Sequence, residues 1–279
     1  MQKRLVQLLF VLLVLTALPL WAEESPTDIR RTEVDLLGLY NPLGISIAIK
    51  GYQRRIYQQS DDPLWDGLYY QYGLQANINP AFIRAGVHLE WLPLAVLQLR
   101  LQSDRLYFSG NNGSLLAFPA PTAPFDDDDL KLREGQEVWG EGRRHQAGLT
   151  LRAKFGRFII RNVADVVDFE FPGRGPFYLE REYELLLAVS DRVYSNQIYL
   201  LYDIRHADGF SYLGPYHHYV RVRESEQRRE QLGITWYREF RQPRFGFAAP
   251  RCYLQIGQYL QEPNRTDEGY LIVGIGGDL

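Results

Sequence analysis

Residues 68–79, LYYQYGLQANIN, decide the fold. In an extended chain they put Leu68, Tyr70, Tyr72, Leu74, Ala76 and Ile78 on one face and Tyr69, Gln71, Gly73, Gln75 and Asn77 on the other. A helix would need apolar residues at i, i+3, i+4 and i+7, and this stretch has period two instead. The same alternation recurs along the chain. Ile45, Ile47 and Ile49 oppose Ser46, Ala48 and Lys50, and Ile83, Ala85, Val87, Leu89 and Trp91 oppose Arg84, Gly86, His88 and Glu90. Leu97, Leu99 and Leu101 oppose Gln98, Arg100 and Gln102, and Ala147, Leu149, Leu151 and Ala153 oppose Gln146, Gly148, Thr150, Arg152 and Lys154. Leu232, Ile234 and Trp236 continue the pattern, as do Leu271, Val273, Ile275 and Leu279 at the end of the chain. The fold class expected is all-β.

Composition narrows the setting. The 279 residues are 46% hydrophobic and 23% charged with a formal charge of −3, too near neutral for a nucleic-acid binder held by bulk electrostatics. A mean hydropathy of −0.29 excludes a bundle of membrane helices, each of which needs about 20 mostly apolar residues. Cys252 is the only thiol, so the chain holds neither an internal disulfide nor a cysteine zinc site, and no cofactor is expected. Residues 1–22, MQKRLVQLLFVLLVLTALPLWA, have a Lys3-Arg4 start, an apolar run and a small residue at Ala22 before Glu23-Glu24, which is the layout of a cleaved signal peptide. The remaining residues, 23–279, contain no linker that would divide them and are expected to form one exported domain.

What the apolar faces meet separates two architectures. In a soluble sandwich they meet each other, whereas in a membrane barrel they meet lipid and the polar faces enclose the lumen. Three features favour the barrel. The polar faces carry Arg84, His88, Glu90, Arg100, Arg152 and Lys154 among glycines, as a crowded lumen would. Tight turns such as 154–157 contrast with the long polar stretch 109–142. Tyr and Trp fall at strand ends, among them Tyr57, Trp65, Trp91, Tyr107, Trp236 and Tyr270, where their rings suit the headgroup level.

With its alternating strands, the turn at 91–94 (WLPL) and the terminal strand 270–279 (YLIVGIGGDL), the chain resembles the outer-membrane β-barrel proteins of Gram-negative bacteria. The resemblance implies a transmembrane antiparallel up-and-down barrel in the outer membrane, in contact with its lipid and lipopolysaccharide. It also implies recognition by the outer-membrane barrel assembly machinery through 270–279. Leu279 stands where that class usually ends in an aromatic residue, and Gly277 interrupts the alternation. At 9–11 residues per membrane strand the chain has room for about 12 strands, with about 10 as the alternative. Two turn signals, Asn79-Pro80 and Leu92-Pro93, conflict in direction with an outside loop at 109–142. The conflict ends if another strand lies in 33–40, or if Pro80 marks a bulge in one long strand.

For function the sequence offers a non-catalytic narrow pore or structural component first. Arg84, His88, Glu90, Arg100, Arg152 and Lys154 are the lumen-lining candidates. They would form either a positive constriction or a closed interior in which each arginine pairs with an acid such as Glu90, Asp165 or Glu239. The second reading is a barrel-embedded hydrolase acting on lipid or lipopolysaccharide. It needs a serine among Ser190, Ser195 and Ser211 to meet a histidine among His206, His217 and His218 across neighbouring strands, and no G-x-S-x-G elbow marks one. A secreted soluble β-protein is the third. Asp126, Asp127, Asp128 and Asp129 are weak divalent-cation candidates, since they lack the spacing and central glycine of a calcium loop and fit a solvated loop tip better.

Overall fold

The computed structural model describes residues 27–279 apart from 174 and 245, and the expected signal peptide at 1–22 lies outside the described residues. The alternating stretches become twelve antiparallel strands that close into a barrel. In chain order they begin with β1 (Thr27–Tyr40), β2 (Gly44–Gln58), β3 (Leu68–Ile78), β4 (Phe82–Leu94) and β5 (Leu97–Ser109). The wall continues with β7 (Trp139–Phe155), β8 (Phe158–Glu170), β11 (Ser190–His206) and β12 (Gly209–Val222). It ends with β13 (Arg228–Phe240), β14 (Arg251–Gln261) and β15 (Gly269–Asp278). Each strand pairs with the next in the wall, and β15 returns to β1 with a register running from Glu33↔Asp278 to Tyr40↔Leu271. Closure satisfies every strand edge, the condition for sheet structure in lipid.

The alternation settles which face is which. Ile45, Leu74, Val87, Ile234 and Ile256 are all more than half exposed on the outside, the inverse of a soluble sandwich core. Their strand neighbours Gln71, His88, Glu90, Thr150 and Gln255 are buried inside. A strand does lie before β2, and Asn79-Pro80 is a true turn between β3 and β4 rather than a bulge, which removes the conflict of direction. Pro93 does not turn the chain. It sits where the β4–β5 register shifts between Trp91 and Leu94, the irregular end at which a missing N–H is tolerated, and the turn follows at 95–96. Tyr270 departs from the lipid-side expectation: it lies inward and buried, because its partner Gly257 belongs to the lumen row.

The two ends of the barrel differ. At the end where β1 begins and β15 finishes, two-residue turns at 95–96, 156–157 and 207–208 alternate with the connections 59–67 and 241–250. The opposite end carries residues 110–138 and 171–189, the longest connections, and is therefore the outer end. These two segments hold the remaining elements: β6 (Ala117–Phe118), helix α1 (Asp127–Leu132), β9 (Phe177–Glu180) and β10 (Leu185–Ala188). The strands pair in the order β10-β9-β6 as a small sheet across the outer mouth.

Candidate functional site

The small sheet is apolar on both faces, which is why residues 185–187 read Leu-Leu-Leu. Leu186, Leu179 and Phe118 pack outward with Leu116 and Phe125 into a core shared by the two long segments. On the other face Tyr178, Leu185 and Leu187 pack onto the inward wall residues, among them Phe108, Phe169, Val193 and Val222. Leu185, Leu187, Val193 and Val222 are fully buried, and each such side chain contributes on the order of 1.5–3 kcal/mol by leaving water. The barrel is thus sealed at its outer mouth by its own chain.

The hairpin tip between β9 and β10 reaches below this seal into the lumen. Glu182 accepts from Arg84 Nη1 at 2.5 Å and lies 3.7 Å from Arg144 Nη2. Arg144 also pairs with the fully buried Asp104 at 3.3 Å. Arg229 Nη1 donates to the Tyr183 carbonyl at 2.8 Å. From the connection 262–268, Arg265 pairs with Glu184 at 3.7 Å and with Asp127 at 3.3 Å. Wall cations from β4, β7 and β13 therefore grip the tip, and Arg265 grips it from above.

Burial pushes the Glu180 carboxyl up to about 7, and the charge on Glu182 adds to the rise. Burial opposes the charge on Glu182 too, but Arg84 and Arg144 beside it hold that carboxyl below the ordinary glutamate range. Burial also raises Glu184 against the pull of Arg181 and Arg265. Glu182 is thus held in its charged form by the wall cations, while Glu180 is held close to its proton.

The lumen candidates do not converge on one point. Arg84 sits under the seal. Further in, Lys50 pairs with Glu90, whose second oxygen accepts from Gln98 at 2.9 Å, and buried His88 stands 3.4 Å from Gln71. Arg100 pairs with Asp165 at 2.7 Å, and Gln146 donates to the same oxygen. Near the inner rim Lys154 pairs with Asp203 at 2.6 Å, whereas Arg152 donates to the Ala95 carbonyl and has no carboxylate partner among the described residues. Lys50, Asp104, Arg144 and the tip glutamates are participants that the sequence reading passed over. Glu180, Glu182 and Glu184 do alternate in residues 180–184, and that is the signal for one of them reaching the lumen.

Three of the four aspartate side chains are already engaged. Asp126 caps α1 by accepting from the N–H groups of Asp128 and Asp129, Asp127 pairs with Arg265, and Asp128 with Lys131. Among the described residues no group of three or more metal-type ligands converges.

Two serines do meet a histidine. At the inner rim Ser211 Oγ lies 3.0 Å from His206 Nε2. Ser195 Oγ lies 3.0 Å from His218 Nε2 across β11 and β12, on the lumen side and nearly buried. His217, on the opposite face, pairs with Glu230 at 2.7 Å. No carboxylate is bonded to His218 among the described residues, and the nearby backbone N–H groups are engaged in the β11–β12 and β8–β11 ladders rather than forming an oxyanion pocket.

A closed antiparallel wall with an apolar exterior, a charged interior and long segments at one end defines an outer-membrane β-barrel of the Gram-negative type, and its place is the cell outer membrane. No family model and no curated protein matches the chain. Solved structures with a similar course of the chain include an outer membrane channel from Pseudomonas putida F1, 13% identical, with 94% of this chain and 99% of that one covered and a TM-score of 0.43. The β domain of the Bordetella autotransporter Brka is 11% identical over 92% of this chain and 100% of its own, with a TM-score of 0.43. LpxR from Salmonella typhimurium is 8% identical over 90% and 99%, with a TM-score of 0.40.

Proposed function

We propose that the protein is a non-catalytic channel of narrow bore, held closed by the β9–β10 hairpin as a stopper. Residues 1–22 serve its export, residues 23–279 form its single domain, and strand 270–279 is presented to the barrel assembly machinery. The observation that carries the reading is the way the stopper is held. Its strands pack on apolar wall residues, but its tip is bound to the wall by ion pairs, through Glu182 to Arg84 and Arg144. Such a contact can be made and unmade, and below it the lumen remains polar. Replacing 176–188 with a flexible glycine-serine linker will turn a barrel that is silent in a planar bilayer into one with persistent conductance. Silence in both proteins would leave only a structural role. The Ser195–His218 contact favours a second reading, a lipid-acting hydrolase, which would be supported by a change in lipid profile that is lost on Ser195→Ala.

A further inference from the structure

We infer that the lumen beneath the stopper is a binding chamber for a neutral saccharide of one or two rings, entered from the inner end of the barrel. The chamber measures about 340 Å³, at the small end of the range for ligand pockets (roughly 300–1,000 Å³). Its wall comes from β11 to β15 and from the end of β1 with the turn after it, and its roof from the hairpin tip.

The wall is built of tyrosine rings. Tyr199 and Tyr216 stack with centroids 5.7 Å apart, and Tyr270 meets Tyr216 edge-on at 6.4 Å and Tyr259 at 5.2 Å. The row is made possible by Gly233 and Gly257, which stand between Tyr216 and Tyr270 in the register. A Cβ at Gly257 would lie 2.6 Å from the Tyr270 hydroxyl, and one at Gly233 would lie 2.9 Å from it. Bare backbone at both positions lets the Tyr270 ring lie along the wall rather than fill the lumen. Between the rings Gln197, Gln231 and Gln255 supply carboxamides.

The composition of that wall selects the ligand. Of the full charges near the roof, Glu182 is matched by Arg84 and Glu184 by Arg181. Arg229 of β13 has no carboxylate partner among the described residues and instead donates to the Tyr183 carbonyl and lies over the Tyr183 ring. A cationic ligand would have to break one of these pairs, and an anionic one would have to draw Arg229 away from the Tyr183 carbonyl and ring. Gln197 already accepts from the Tyr199 hydroxyl at 2.6 Å, but the Tyr270 hydroxyl is buried without a partner among the described residues. A plain hydrocarbon would leave it so, at a cost of about 1–3 kcal/mol. A pyranose avoids both penalties, because its C–H face packs on aromatic rings while its rim of hydroxyls bonds to amides and phenols. Entry from the inner end leads through a second cavity of about 360 Å³, lined by Arg161, Tyr212, Tyr237 and Glu239, which meets the chamber at the Tyr199 and Tyr253 rings. The stopper blocks the other direction.

The test is calorimetric titration of glucose, maltose and p-cresol into the folded barrel, held in a zwitterionic detergent without a sugar headgroup. Maltose is expected to bind with a Kd of about 1 mM or tighter. Gln231→Leu and Gln255→Leu should each weaken it about five- to tenfold, with unchanged heat-modifiable gel mobility as the check on folding. No sugar binding up to about 50 mM, binding of p-cresol alone, or wild-type affinity in both variants would each overturn the inference. Binding does not require the stopper to move. A barrel that binds maltose yet stays silent after hairpin replacement would end the channel reading and leave the chamber standing.

Discussion

Arg100 and Asp165 lie flat against the wall because residue 148, between them in the register, is glycine. A Cβ there would come within 2.9 Å of Arg100 Nη2 and closer still to Asp165 Oδ1. Glycine on a polar strand face is therefore a sign of a side chain that must lie down rather than a weak point in the strand. The pair is shielded, with Asp165 only 10% exposed, so its two members depend on each other. Removing one partner from such a pair leaves an uncompensated charge and costs about 3–5 kcal/mol, an upper range here because Arg100 is 24% exposed. Replacing both with apolar residues of similar volume is nearly neutral. Arg100→Met alone should therefore lower the urea midpoint of the barrel in lipid vesicles substantially, and Arg100→Met with Asp165→Leu should restore most of it. Equal losses in the single and the double variant would show that the pair has no such coupling. By contrast, His217 and Glu230 are each one-third exposed on the outer face, and a pair of that kind is worth at most about 1 kcal/mol.

The β9–β10 hairpin is the element whose stability depends on pH, and its glutamates act in opposite senses. Glu180 has a folded value near 7, above its unfolded value, so the docked hairpin holds a proton that the released one loses. Docking is then fully supported below the ordinary glutamate range and weakens as pH rises toward about 7. Glu182 has a lowered value, so its contribution is present above that range and is lost in more acidic solution. Trypsin nicking within 171–189 should therefore be slowest near pH 5 and faster at pH 7.5. Glu180→Gln should flatten the neutral limb while leaving the acid loss intact, and an unchanged neutral limb in that variant would remove Glu180 from the account. This element was the least legible in the sequence. Leu185-Leu186-Leu187 has no alternation because both of its faces are buried, so the period-two signal that marks the wall strands is absent there. Pro93 misled for a related reason: it sits at a bulged strand end, which reads like a turn.

Across the whole molecule the alternation was enough to give an all-β barrel of about 12 strands with an apolar outside, because inside and outside depend only on parity along each strand. Closure and charge pairing were not legible in the same way. Glu33↔Asp278 joins opposite ends of the chain, and Arg100 finds Asp165 across two strand boundaries, so register alone decides which charges meet. That pairing fixes the net character of the lumen. Lys50, Arg84, Arg100, Arg144, Lys154 and Arg251 are each matched by a carboxylate, whereas Arg152 and Arg161 face each other in the β7–β8 register. Neither of these two has a carboxylate partner among the described residues, and Arg161 lies over the Tyr199 ring instead, its guanidinium carbon 5.6 Å from the centroid. Arg54 and Arg229 likewise bond to neutral groups, the Gln71 side chain and the Tyr183 carbonyl. Together these cations outnumber the unpaired Glu239 carboxylate among the described lumen residues and leave an electrostatic preference for anions, by the logic of charged constrictions. With the hairpin replaced by a linker, the reversal potential in a chloride gradient should therefore show anion selectivity. It should move toward cations on Arg161→Glu and further with Arg152→Glu, an effect that weakens as salt is raised from about 0.1 to 1 M because screening shortens the reach of each charge. A cation-selective parent, or a reversal potential indifferent to both substitutions, would mean that ions pass by a route these two side chains do not line.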